Sequence, residues 1–119
     1  MHDFYILNES TDKGSAGDVS LFSSLEKTLL YTEAIDVRNG EYFCFISDGR
    51  EVSLRAMDDY GPVSATIEAS PRHQAEVESI LRSFLIQLVQ NGGLNIATPA
   101  IEGARLTNLI GLVPRSLIT

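Results

Sequence analysis

The dipeptide Asp48-Gly49 stands between two segments in which apolar residues alternate, and no other feature of the 119-residue chain restricts its folding as tightly. Asp-Gly at such a junction favours the positive φ angles of a two-residue type I′ turn, so Glu41 to Ala56 is predicted to form a β-hairpin. In its first strand Tyr42, Cys44 and Ile46 point one way while Phe43 and Phe45 point the other. A strand that is apolar on both faces belongs in the middle of a sheet. In the second strand Val52, Leu54 and Ala56 alternate with Ser53 and Arg55. After a turn over Met57 to Pro62, Val63, Ala65, Ile67 and Ala69 alternate with Ser64, Thr66 and Glu68. This period of two marks strands with one apolar face. Residues 41–69 therefore read as an antiparallel meander.

The flanking segments complete an α+β pattern of about four strands and two main helices. Asp3 to Asn8 is rich in residues that suit a pleated surface and reads as a first strand. Glu9 to Gly17 is polar and glycine-bearing, hence a loop, and its glycines lack the spacing of a phosphate cradle. Asp18 reads as an N-cap, with Leu21, Phe22, Leu25 and Leu29 forming the apolar stripe of a helix over about 19–31. The connector that follows is acidic at Glu33 and Asp36, is read as extended with Ile35 and Val37 on one side, and turns at Asn39-Gly40. Ser70-Pro71 signals the start of a second helix, about 71–90. Val77, Ile80, Leu81, Phe84, Leu85 and Leu88 line one of its faces, Glu76, Glu78, Arg82 and Gln87 point outward, and Asn91-Gly92 ends it. Leu94 to Thr98 reads as extended. Thr98-Pro99 opens a further candidate helix through Leu109, weakened by Gly103, and the apolar tail from Val113 is expected to pack down.

At this length one domain, residues 1–119, is expected. No apolar run approaches the ~20 residues of a membrane span, and the N-terminal residues lack a basic leader, so the expected location is cytoplasmic. The net charge of −7 is carried entirely by residues 1–59, with twelve acidic and five basic side chains, against four of each in residues 60–119. An acidic surface disfavours nucleic acid and favours basic partners. Catalytic signatures are lacking. His2 is terminal, and His73, in the first turn of the second helix, reads as a surface residue with no nucleophile or second histidine placed beside it. Cys44 reads as a small core residue. Asp58-Asp59 is the closest carboxylate pair, too poor in ligands for a metal site, and no cofactor or metal is expected.

Leu25-Glu26, Leu30-Tyr31, Ala34-Ile35-Asp36-Val37, Gly40-Glu41-Tyr42-Phe43 and Ser47-Asp48-Gly49-Arg50-Glu51-Val52, followed by the helix from Pro71 to Leu88, resemble bacterial immunity proteins. These are the small partners of polymorphic and contact-dependent growth inhibition toxins. The resemblance covers about residues 25–88. It implies a non-enzymatic inhibitor that binds a cognate toxin domain, often a nuclease, inside the producing cell. Charge placement adds the candidate partner-binding residues Glu33, Asp36, Asp48, Asp58 and Asp59, facing a toxin with a basic surface. Two other readings compete: a chaperone of the type III secretion class, which would dimerise through a helix, and a small α+β hydrolase or isomerase with a carboxylate base. The oligomeric state does not follow from the sequence.

Overall fold

The protein, described here by a computed structural model over residues 2–119, is an α+β fold built on one five-stranded antiparallel sheet. Its strands are β1 (Tyr5–Glu9), β2 (Asp18–Phe22), β3 (Tyr42–Ile46), β4 (Glu51–Ala56) and β5 (Val63–Ile67), ordered β2-β1-β3-β4-β5. The meander is present as β3, β4 and β5. The Asp48-Gly49 turn differs in type: only Gly49 has positive φ, +105°, so the type I′ geometry, which needs two such residues, does not form. Instead Ser47 and Asp48 occupy the centre of the turn. The Gly49 N–H donates to the Ile46 carbonyl at 2.9 Å and the Ile46 N–H to the Arg50 carbonyl at 2.8 Å, a three-residue loop.

The fifth strand is the main departure from the sequence reading. Asp18 does not cap a helix; it opens β2, which pairs with β1 over five registers from Glu9↔Asp18 to Tyr5↔Phe22. The helix expected from residue 19 is shortened to α1 (Leu25–Tyr31), whose cap is Ser24, accepting the Lys27 N–H at 3.2 Å. The connector is not extended either, because Ala34–Arg38 forms a short helix, α2, packed beside β4. The long helix α3 spans Gln74–Gln90 and begins three residues after Pro71, with His73 at its cap position. It ends as expected at Asn91, followed by Gly92 at φ +79°. Gly103 splits the C-terminal helix into α4 (Thr98–Glu102) and α5 (Leu106–Leu112). The tail packs down: a single turn of 3₁₀ helix precedes Ile118, which bridges to Leu21 alongside β2.

Strand alternation divides the interior into two layers. On one face Phe4, Ile6, Leu21 and Phe45 meet Val77, Ile80, Leu81 and Leu85 of α3, with Ile101 and Leu109 of α4 and α5 closing the same core. On the other face Leu7, Phe22, Cys44, Ile46 and Val52 lie beneath Leu25 of α1. That placement explains why β3 is apolar on both sides. β3 and β4 pair over only two registers, Cys44↔Val52 and Phe45↔Glu51, whereas β1–β2, β1–β3 and β4–β5 each pair over five.

Glu78 and Arg82 were expected to face water, but they join α3 to the C-terminal helices. Glu78 accepts the Leu106 N–H at 3.1 Å and Arg82 at 3.0 Å, and Arg82 also donates to the Ala104 carbonyl at 2.7 Å. The Arg82 hydrogen bond is the largest influence and holds the Glu78 carboxyl below its ordinary value; burial opposes it, and the smaller Arg105 charge adds to the lowering. A carboxyl depressed in the folded state adds stability that is full above its unfolded value and is lost as pH falls through its folded value. Glu78→Gln is therefore expected to be less stable than the parent at pH 7, with the gap closing as pH drops below about 4, read as urea midpoints across pH 3–7.

Candidate functional site

Two groups of side chains stand out, at opposite ends of β4. The first lies where α1, α2 and the β4–β5 turn meet. Leu30, Tyr31 and Ile35 come from the helices and Met57 and Tyr60 from the turn; among the described residues they are five of the six large apolar side chains left exposed. Tyr60 is 95% exposed, Met57 85% and Leu30 79%. A cleft of about 350 Å³ between α1 and the turn is lined by Glu26, Leu30, Ala34, Pro62 and Val63 among others. An ion pair of 2.7 Å from Arg38 to Asp59 ties α2 to the same turn.

Four of the five candidate binding residues belong to this end. Glu33 caps α2 without a side-chain bond, and Asp36 lies in its first turn. Asp58 bends over its own turn to accept the Tyr60 N–H at 2.9 Å, and Asp59 holds Arg38. Asp48 is separate: it lies at the far tip of the hairpin, roughly 20 Å away along the six residues of β4, with its carboxylate on the Arg50 Nε at 2.8 Å. Negative charge is crowded near α2. The Glu41 carboxyl is raised, chiefly by a side-chain hydrogen bond shared with Asp36 and then by that residue's charge. The Tyr42 hydroxyl is pushed up to about 12 by burial first and then by Asp36 and Glu9.

The second group surrounds His73. Its imidazole Nε2 lies 3.1 Å from Glu68 Oε1 and 3.4 Å from Glu51 Oε1, and its Nδ1 lies 3.4 Å from Glu76 Oε2. The side chain is only 18% exposed, which corrects the expectation of a solvent-facing histidine. It is seated by the hairpin, since the His73 N–H donates to the Gly49 carbonyl at 2.8 Å. Gly49 must be glycine to allow this approach: a Cβ there would sit 2.5 Å from Gln74 Cγ and 3.0 Å from the Gln74 nitrogen. Lys13 pairs with Glu51 at 3.0 Å and Arg72 with Glu68 at 2.6 Å. Arg72, first by hydrogen bonding, holds the Glu68 carboxyl below its ordinary value.

Residue types alone do not reveal this second group, yet one signal was available. If Ala56 pairs with Val63 across the Met57 to Pro62 turn, as it does, counting back places Glu51 opposite Glu68. Cys44, by contrast, is the core residue expected, with burial raising its thiol to about 12, assisted by the charge of Glu51. Among the described residues, no helix is long and apolar enough to cross a membrane. Compared with protein-family models, curated proteins and solved structures, the chain finds no match.

Proposed function

We propose that the chain is a non-enzymatic immunity protein that neutralises a cognate bacterial toxin by binding it through the end formed by α1, α2 and the β4–β5 turn. The observation that carries this reading is the coincidence of the exposed Leu30, Ile35, Met57 and Tyr60 with the carboxylates of Glu33, Asp36, Asp58 and Asp59. Protein interfaces combine a small apolar and aromatic centre with a polar rim, and charge on the rim chiefly sets association rate and partner choice. An acidic rim selects a basic toxin surface, the kind of surface a nuclease uses to hold its own substrate. The helix-mediated dimer of a secretion chaperone fits less well, because the flank of α3 bearing Glu78 and Arg82 is already engaged by α4 and α5.

Co-expression with the toxin domain encoded beside its gene is expected to restore growth of a sensitive host and to yield a stoichiometric complex on gel filtration. Continued killing, with both proteins soluble, would overturn the reading. In the complex, neutralising Glu33, Asp36, Asp58 and Asp59 together to Gln or Asn is expected to slow association about 10-fold or more at low salt and to flatten its salt dependence. An unchanged on-rate would remove the acidic rim from the proposal.

A further inference from the structure

We infer that Glu51, Glu68 and His73 form a zinc site that clasps the β4–β5 ribbon to the start of α3. One ligand atom from each residue, including His73 Nε2, lies within 4.8 Å of the others. Zinc binds imidazole nitrogen and carboxylate oxygen at about 2.0–2.2 Å in a tetrahedral shell, which sets its ligand atoms about 3.3–3.6 Å apart. The observed separations from Nε2, 3.1 and 3.4 Å, lie close to that edge length. The three residues arrive by different routes. Glu51 and Glu68 face each other across adjacent strands, with the Glu51 N–H donating to Glu68 Oε1 at 2.8 Å and the Glu68 N–H to the Glu51 carbonyl at 3.0 Å. His73 is brought over them by its backbone bond to Gly49. Two like charges directly opposite in a sheet repel, a cost that Lys13 on Glu51 and Arg72 on Glu68 offset and that a cation between them would offset further.

Glu76 supplies an independent indication. Its Oε2 is buried and makes no hydrogen bond, and it stands 3.4 Å from His73 Nδ1. A histidine that binds metal through one ring nitrogen characteristically donates the other N–H to a carboxylate, which fixes the tautomer and the ring orientation. With Nε2 on zinc, the proton resides on Nδ1 and the orphaned Glu76 oxygen becomes its acceptor. Glu76 is thus a positioning residue and not a ligand. Lys13 and Arg72 are the other charges facing the cluster. Arg72 is well exposed and Lys13 half-exposed; Arg72 holds Glu68 Oε2, while Oε1, which already accepts the Glu51 N–H, keeps its second lone pair for the site. Lys13 shares Glu51 Oε1 and so competes with the metal.

The test is calorimetric titration of the untagged, chelator-treated protein with zinc chloride, alongside a His2→Gln control. One site is expected in both proteins, with an X-ray absorption spectrum showing a single imidazole among oxygen ligands. His73→Gln and Glu68→Gln are each expected to weaken binding at least 100-fold. Glu76→Gln is expected to lose about 10–100-fold, with its urea midpoint in chelator unchanged. Lys13→Ala is expected to bind severalfold more tightly. Failure of the parent protein to bind zinc, or equal binding by His73→Gln, would overturn the site. Should His73→Gln not fold, Glu68→Gln decides it on the same terms.

Discussion

Replacing Phe45 with alanine is expected to destabilise the protein by about 3–5 kcal/mol, enough to lower its melting temperature by roughly 10–20 °C. Phe45 is fully buried in the larger core, on the central strand β3, where α3 crosses the sheet. Removing its ring costs the transfer energy of the lost carbons and leaves a cavity, because both flanking strands are held in register and cannot collapse inward. The loss also reaches the second site, since the Phe45 ring centre lies 5.9 Å from that of His73. Urea unfolding should show a lower midpoint with an unchanged slope. A loss below about 1 kcal/mol would mean that α3 does not rest on β3 as described.

Under the proposed immunity function, Leu30→Asp is expected to weaken toxin binding by about 100-fold while leaving the fold intact. Leu30 is 79% exposed, and substitutions at such positions usually change stability by no more than about 0.5 kcal/mol. At the centre of an interface the same change buries an unpaired carboxylate, and hot-spot losses reach about 2 kcal/mol or more. Tyr60→Ala should act in the same direction through the dissociation rate. The pair separates the apolar centre from the acidic rim, whose neutralisation acts on association. Full affinity in Leu30→Asp, with an unaltered melting curve, would place the interface elsewhere.

How much of this could be read from residues alone depended on how local each signal was. The meander was legible because Val52, Leu54 and Ala56, and then Val63, Ala65 and Ile67, alternate without a competing period. β2 was hidden because Leu21, Leu25 and Leu29 also satisfy helical spacing across the true boundary at Ser24. What fixes β2 is the loop that precedes it: buried Asn8 accepts the Gly17 N–H at 2.8 Å and donates to the Ser15 carbonyl at 2.9 Å, closing the β1–β2 connection. α2 was obscured because Ile35 and Val37 are β-branched, and its packing beside β4 overrides their preference. Of the two sites, the charge of the acidic end was visible in the sequence, but the separation of Asp48 from the other four carboxylates and the exposure of Leu30 and Tyr60 were not. The environment of His73 needed strand register, the Gly49 contact and the true start of α3 together.

The two-rung pairing of β3 with β4 has a mechanical consequence. Local stability follows the density of buried contacts and backbone bonds, and the sheet is most thinly stitched along this seam. Amide exchange is therefore expected to run faster along this seam than along β1–β2, β1–β3 or β4–β5. The Arg38–Asp59 ion pair, which moors the Met57 to Pro62 turn to α2, then acts as a second tether across the weakest line of the sheet.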